Sequence, residues 1–178
     1  MQQCTSTHWR ICCGDILDLS AEAIICSANA QLNMSGGVGG AILVRHGDRM
    51  QQELWSYLKN HNTSFVSTGT VIQTTPCGTP YTLVLHAVAI DVFYQTNSDI
   101  ITTTIRRALA ICVRSNVKTV ALTALATGYG KYPIVKFGEC IRSIMNECFF
   151  PIKTITICMQ NPSDAEELAD MLFTVENS

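Results

Sequence analysis

The chain has 178 residues, 47% of them hydrophobic, which is enough for a single domain with a substantial buried core. It carries 12 basic and 14 acidic side chains, a formal net charge of -2, and no long basic run. Because affinity for DNA and RNA rests largely on basic side chains that contact phosphates, this composition does not favour a nucleic-acid partner.

Strand-like and helix-like segments alternate along the chain. The apolar, strand-like segments are residues 9–13, 23–27, 70–74, 82–90, 117–125 and 153–159. Apolar strands separated by helices are typical of a mostly parallel sheet that is buried between two helical layers. We therefore predict an α/β fold, with one domain that covers residues 1–178.

Four helical patterns lie between or after these strands. Apolar residues at four-residue spacing predict the first helix over residues 41–59. The expected starts of the later helices are Ser98 or Asp99 as a cap, Pro133 in a first turn, and Ser163 with Glu166 as a capping box.

Nine cysteines are present, and none belongs to a CxxC pair, so the sequence does not predict a metal site. Most of them lie in apolar runs, which favours reduced thiols that pack in the core. The N-terminus lacks the apolar core of a signal peptide, and no apolar run is long enough to span a membrane. We expect an intracellular protein without a membrane association, either complete or a module of a longer chain.

Polar and glycine-rich segments follow three of the predicted strands. Residues 14–16 follow the first strand, Asn29 and the loop 35–40 follow the second, and residues 126–130 follow the fifth. Ligands of parallel sheets bind beyond the carboxyl ends of the strands. Glycine lets the backbone approach a ligand closely, and helix N-termini offer free amides to an anion. Two such loops predict a site that holds a diphosphate from both sides.

Each candidate side chain also has a structural interpretation. Asp15 has the chemistry to accept a hydrogen bond from an exocyclic amine, but it equally fits a turn or a cap. Asn29 has the chemistry to bind ribose hydroxyls, or to hold its own loop. His86, inside an apolar strand, is more typical of a core residue than of a catalyst. Tyr129 beside the second loop suits either ligand contact or packing.

Other nucleotide-binding and hydrolase motifs are absent from the sequence. Ile42 stands where the dinucleotide fingerprint needs its third glycine, and Leu125 stands where a Walker A motif needs its first. The chain contains neither GxSxG nor HExxH. These absences exclude the commonest routes to nucleotide binding, serine hydrolysis and zinc proteolysis.

The order and spacing of the pieces resemble the macro domain family over residues 9–173. The matching segments are GDI at 14–16, AIICSAN at 23–29, GGVGGAI at 36–42, LHAV at 85–88, and Thr127-Gly128 with Tyr132-Pro133. The resemblance implies a three-layer αβα sandwich around a six-stranded mixed, mostly parallel sheet. It also implies a cleft for ADP-ribose, without a further cofactor.

The resemblance assigns a role to each part of the cleft. Asp15 would bind the adenine amine, with Ile16 packed nearby, and Asn29 would contact the distal ribose. Gln160 and Asn161, which follow the last strand, stand where relatives close over adenine, and neither is aromatic. The two loops would supply the remaining ligand-binding residues, which are Gly36, Gly37, Val38, Ala126, Thr127, Gly128 and Tyr129.

Three departures from the family pattern bear on catalysis. Cys26 replaces an asparagine of hydrolytic members, Gly39 replaces a loop aspartate, and Ser35 replaces a glycine. Loss of a general-base group typically costs roughly a hundredfold to ten-thousandfold in rate. We therefore expect weak or absent ADP-ribosyl hydrolase activity.

The sequence leaves three functions open. The first is a reader that binds ADP-ribose, free or attached to protein. The alternative is a hydrolase that removes mono-ADP-ribose from proteins or deacylates O-acetyl-ADP-ribose, with Asn29 as the candidate catalytic residue. The third is a degenerate module that mediates only protein or nucleic-acid contacts.

Overall fold

The computed structural model describes residues 6–174, and this part of the chain contains six strands and five α-helices. The strands are β1 (His8–Cys13), β2 (Ala23–Ala28), β3 (Val71–Thr74), β4 (Leu83–Val88), β5 (Thr119–Thr123) and β6 (Thr154–Met159). The helices are α1 (Gly37–His46), α2 (Arg49–Asn60), α3 (Ser98–Arg114), α4 (Ile134–Ile144) and α5 (Pro162–Phe173), and a short 3-10 helix (Ile16–Asp18) follows β1.

The strands form one sheet in the order β1-β6-β5-β2-β4-β3. All neighbouring strands are parallel except β3, which is antiparallel to β4 at the edge. The predicted six-stranded, mixed and mostly parallel sheet is therefore confirmed. The carboxyl ends of β1, β6, β5, β2 and β4 all lie at the same edge of the sheet, so the segments that follow them are brought together.

Helices cover both faces of the sheet, which confirms the three-layer sandwich. Ile24 packs in one apolar cluster with Met50 and Leu54 of α2, whereas Ile25 packs in the other cluster with Ile101 of α3. Adjacent residues of a strand point to opposite faces, so the apolar run in β2 supplies both cores. Full burial of an isoleucine side chain contributes about 1.5–3 kcal/mol.

The helix predicted over residues 41–59 is two helices, because the chain turns between α1 and α2. Gly47 adopts a φ of 78°, which is accessible to glycine at little cost, and its N–H donates to Leu43 O at 3.0 Å to end α1. The first helix also begins earlier than predicted, at Gly37. The second half of the glycine-rich segment is therefore the first turn of α1.

Two predicted caps are wrong by one or two residues. Asn97 caps α3 by accepting a hydrogen bond from Ile100 N at 2.9 Å, in place of Ser98 or Asp99. Asn161 caps α5 by accepting from Ser163 N at 2.9 Å, in place of Ser163. In both cases the asparagine carboxamide reaches the free amides of the first turn. Pro133 directly precedes α4, close to its predicted place.

Among the described residues the cysteines follow the prediction only in part, because Cys13 is exposed and Cys12 and Cys77 are half-buried rather than packed in the core. Seven of them are free: Cys12, Cys13, Cys26, Cys77, Cys112, Cys140 and Cys158. Cys148 is disulfide-bonded, so the expectation of reduced thiols is wrong there. Cys4 lies outside the described residues. Within residues 6–174, no helix has the length and apolar character needed to cross a membrane.

Candidate ligand-binding cleft

A cleft of about 420 Å³ opens at the carboxyl edge of the sheet. This volume lies in the usual range for small-molecule sites. All ten residues that the sequence predicts to bind ligand lie on its walls: Asp15, Ile16, Asn29, Gly36, Gly37, Val38, Ala126, Thr127, Gly128 and Tyr129. The fold therefore brings the candidate residues together, and their contact with a ligand stays a prediction.

The two glycine-containing loops meet across the middle of this cleft. A Cβ placed on Gly36 would collide with the hydroxyl of Tyr129, and would also lie 3.0 Å from two ring carbons. A side chain at this position would therefore require the tyrosine ring to move. The loop after β2 and the loop after β5 thus face each other, as the sequence predicts.

The first loop ends in a helix N-terminus that no side chain caps. Gly36 is the N-cap residue of α1 and makes no side-chain cap bond, since it has no side chain. Gly37 adopts a φ of 56°, which turns the chain into the helix. The first amides of a helix have no partner within it and carry the positive end of its dipole. This turn can therefore bind an anion without a lysine or arginine.

The second loop is held in an unusual backbone conformation. Ala126 has a φ of 67°, in the left-handed region that residues with a side chain seldom occupy. Its carbonyl accepts from Tyr132 N at 3.1 Å, and Lys131 N donates to Gly128 O at 3.0 Å. A Cβ on Gly130 would lie 2.5 Å from Ala126 O, so glycine is needed there as well. Strain of this kind occurs most often at binding sites.

Asp15 serves both as a cap and as part of the cleft wall. Its Oδ1 accepts from Leu17 N at 2.9 Å, and its Oδ2 accepts from Arg45 Nη2 at 2.7 Å. Arg45 also donates to Asp18 Oδ1 at 2.7 Å. Each carboxylate oxygen has a second lone pair, so Asp15 keeps acceptor capacity for an amine. Arg45 is a contributor to this end of the cleft that the sequence analysis missed.

The carboxamide of Asn29 is occupied by its own loop. Its Nδ2 donates to Asn33 O at 2.8 Å, and its Oδ1 accepts from Asn33 N at 2.9 Å. Asn33 Oδ1 then accepts from Ser35 N at 3.0 Å, directly before the glycine-rich loop. Asn29 therefore holds its own loop, which is one of the two interpretations of this residue, and it also lines the cleft.

Two buried side chains that the sequence analysis missed hold segments of the cleft wall. Gln51 of α2 accepts from Met34 N at 2.7 Å and donates from Nε2 to Leu32 O at 2.8 Å. Tyr81 donates its hydroxyl to Ile16 O at 2.5 Å, and burial raises its pKa to about 12. The signal for Gln51 was present, because a glutamine on the same helical face as Leu54 interrupts an apolar stripe.

Cys26 and His86 lie side by side in β2 and β4 and line the deep part of the cleft. Burial raises the pKa of Cys26 to about 12, so the thiol stays protonated and is not a nucleophile. Burial lowers the pKa of His86 to about 4, and its Nε2 lies 3.0 Å from Thr74 Oγ1. Both groups are therefore neutral at pH 7, and the interpretation of each as a core residue fits the structure.

Gly39 and the residues after β6 are places where this chain differs from the pattern that the resemblance predicts. A Cβ on Gly39 would lie 3.0 Å from Met34 Cα, so a side chain would need the backbone to move. Gln160 and Asn161 line the cleft, but Asn161 is engaged as the cap of α5.

Among the described residues, no group of three or more metal-ligating side chains is present.

The chain belongs to the macro domain family, because the family model described as Macro domain matches residues 25–141. A macro domain-containing protein of Streptomyces nogalater is 31% identical over 162 residues, which cover 90% of this chain and 82% of that protein. A histone macroH2A1.1 of Capsaspora owczarzaki is 25% identical over 145 residues, which cover 81% of this chain. The match spans only 39% of that histone.

Solved macrodomains share the architecture. The Oceanobacillus iheyensis macrodomain with ADP superposes with a TM-score of 0.85 at 21% identity, over 96% of this chain and 93% of that one. The Trypanosoma brucei macrodomain in complex with ADP-ribose gives a TM-score of 0.77 at 19% identity, over 90% of this chain and 67% of that one. At these identities the likeness shows the fold.

Proposed function

We propose that this macro domain binds ADP-ribose, free or attached to protein, and acts as a reader of that group. The observation that carries the proposal is the meeting of Gly36 and Tyr129 across a cleft that also contains Asp15. The solved macrodomains with ADP and with ADP-ribose support the choice of ligand.

The order of the strands supports one direction for the ligand in the cleft. The segments after β1 and β6 form one end of the cleft, those after β5 and β2 form its middle, and the segment after β4 forms the other end. Neighbouring strands are about 4.8 Å apart, so β1 and β4 are separated by about 19 Å. We assign adenine to the end with Asp15, the diphosphate to the middle, and the terminal ribose to the β4 end.

Backbone amides, rather than basic side chains, would hold the diphosphate. No lysine or arginine is among the described residues that line the cleft. The uncapped N-terminus of α1 and the amides of the loop after β5 face the same space. Together they supply hydrogen-bond donors and a favourable dipole for an anion.

The reader is favoured over the hydrolase because the deep part of the cleft holds no ionised group that would act as a base. Cys26 is protonated and His86 is neutral at pH 7, since burial disfavours the charge on each. Asp15 and Asp164, which also line the cleft, lie at the adenine end. Asn29 is held in place by Asn33. Removal of mono-ADP-ribose from proteins or deacylation of O-acetyl-ADP-ribose remains the alternative.

A titration with ADP-ribose, paired with a release assay, tests the proposal. We expect saturable binding by calorimetry and a rise in melting temperature that follows mass action. A folded protein without either response would exclude the reader and favour a module that mediates other contacts. Release of ADP-ribose from a modified peptide at a useful rate, lost in Asn29→Ala, would favour the hydrolase. An intracellular location and ADP-ribosylated protein partners are part of the same proposal.

A further inference from the structure

Two exposed aromatic side chains project from the segment between β4 and α3. Phe93 is 77% exposed and Tyr94 is 48% exposed. Tyr94 lines the cleft, whereas its neighbour Phe93 lies outside the lining. An apolar surface therefore continues from the inside of the cleft to the outside of the molecule.

This segment is a well-ordered turn that presents the two rings. Asp91 Oδ1 accepts from Phe93 N and from Gln95 N, each at 2.8 Å. Asp91 N donates to Gln95 O at 3.0 Å, which closes the turn. Tyr94 adopts a φ of 62°, a conformation that a bulky residue keeps only where its surroundings impose it. The backbone that carries the two rings is thus fixed within the turn.

The turn lies at the end of the cleft that is farthest from the adenine position. β4 is the last of the parallel strands in the sheet order, four places from β1. Ile90, at the start of the turn, approaches the second loop, because its Cγ2 would lie 3.0 Å from a Cβ on Gly130. With the proposed ligand direction, whatever is bonded to the terminal ribose leaves the cleft over Tyr94 and Phe93.

We propose that Phe93 and Tyr94 bind the polypeptide that carries the ADP-ribose group, with Phe93 packing against its apolar side chains. The inference rests on the proposed function and adds a second contact beyond the nucleotide. A peptide fits better than a further ADP-ribose unit, because residues 91–97 contain no lysine or arginine and the N–H groups of residues 91 and 93–95 already donate within the turn, so neither kind of donor is left for additional phosphates. Aromatic side chains are also the commonest anchors of protein interfaces.

The experiment compares four ligands on the intact chain. They are free ADP-ribose, a short peptide with one ADP-ribose on a serine and apolar residues beside it, the same peptide unmodified, and an ADP-ribose dimer. The variants are Phe93→Ala, Tyr94→Ala and the control Phe173→Ala, whose ring is 45% exposed at the C-terminal end of α5. Binding is measured by calorimetry, and mass spectrometry verifies that the modified peptide stays intact.

We expect the wild type to bind the modified peptide about threefold to tenfold more tightly than free ADP-ribose. Phe93→Ala should remove this gain and leave the affinity for free ADP-ribose unchanged. Tyr94→Ala should weaken both ligands, and Phe173→Ala neither. If the wild type and Phe93→Ala bind the modified peptide equally well, this inference is wrong and the proposed function stands. The same holds if Phe93→Ala weakens the binding of the ADP-ribose dimer but not that of the modified peptide. No binding of free ADP-ribose by the folded wild type would overturn the proposed function, and this inference with it.

Discussion

The adenine end of the cleft and its middle are built from different parts of the chain. At the adenine end, side chains do the positioning: Asp15 is fixed by Arg45, and Ile16 is fixed by Tyr81. In the middle the backbone does it, through the helix turn at Gly36 and the left-handed Ala126. Side chains can be removed one at a time and titrate with pH, whereas a backbone cradle fails mainly when atoms are added to it. The two regions should therefore respond to different perturbations.

The largest expected effect comes from Gln51, whose side chain supports the backbone of the middle region. Gln51→Leu leaves Met34 N–H and Leu32 C=O buried without partners, so it should lower the free energy of unfolding by about 4 kcal/mol. Urea unfolding measures the change. The matched control is Gln52→Leu, since the side chain of Gln52 bonds to Asp48 on the surface and its loss should change stability by less than about 0.5 kcal/mol. Equal losses in both variants would contradict the role of Gln51.

Addition of one methyl group should break the middle region. Gly36→Ala places a Cβ against the hydroxyl of Tyr129, so either the ring must turn away from the first loop or the loops must move apart, and affinity for ADP-ribose should fall by about a hundredfold. Calorimetric titration gives the value. In the double variant with Tyr129→Ala the collision is gone, so much of the affinity should return. A double variant as weak as Gly36→Ala would show that the collision is not the cause.

Acid should destabilise the domain through His86. Its folded-state pKa of about 4 lies below the ordinary value of 6.5, so the unfolded state binds more protons between these values. The stabilisation from neutral His86 is fully present above about pH 6.5 and is lost as the pH falls towards 4. Between pH 6.5 and 5 the free energy of unfolding should fall by about 2 kcal/mol. Urea unfolding across this range should show the slope in the wild type and a weaker one in His86→Asn. If stability falls equally with pH in the wild type and in His86→Asn, groups other than His86 cause the fall.

At the adenine end, loss of one carboxylate should have a moderate effect. Asp15→Ala removes the acceptor that we propose for the adenine amine, and it should weaken the binding of ADP-ribose about tenfold. Asp18→Ala is the control, because Asp18 shares Arg45 but does not line the cleft. Titrations of both variants, with melting temperatures to verify folding, separate ligand contact from charge. An equal effect at the two positions would remove the adenine assignment of Asp15.

The smallest effect is expected from salt. Because no lysine or arginine lines the described cleft, an increase from about 50 to about 300 mM salt should change the affinity for ADP-ribose by less than about twofold. Calorimetry at the two concentrations tests this. A change of more than about fivefold would mean that cationic side chains reach the diphosphate.

The two regions of the cleft also differ in how far the sequence predicts them. Local sequence signals predict the middle of the cleft and the helical layers around the sheet. These signals are the glycines at 36 and 37 and the apolar runs of β2 and β4. The pairing of Asp15 with Arg45 joins residues 30 positions apart, and no local pattern announces it. The break at Gly47 was concealed because the apolar spacing of α2 also fits one longer helix.

The predictions of the helix caps were wrong for a related reason. Asn97 and Asn161 precede residues that are also good caps, and the choice among them depends on where the preceding segment leaves the sheet. The conformation of Tyr94 was not foreseen, because a left-handed aromatic residue goes against local preference. The hydrogen bonds that Asp91 accepts from Phe93 N, Tyr94 N and Gln95 N impose this conformation, at the rim of the candidate site.

The contact between Tyr129 and Gly36 has a consequence for the rate of association. The ring of Tyr129, which is 70% exposed, reaches from the second loop to Gly36 of the first, so we expect it to turn aside before an extended ligand occupies the diphosphate position. Capture should then include a first-order opening step, and stopped-flow traces should level off at high ADP-ribose concentration. Replacement of Tyr129 by alanine should remove that plateau and accelerate both entry and escape.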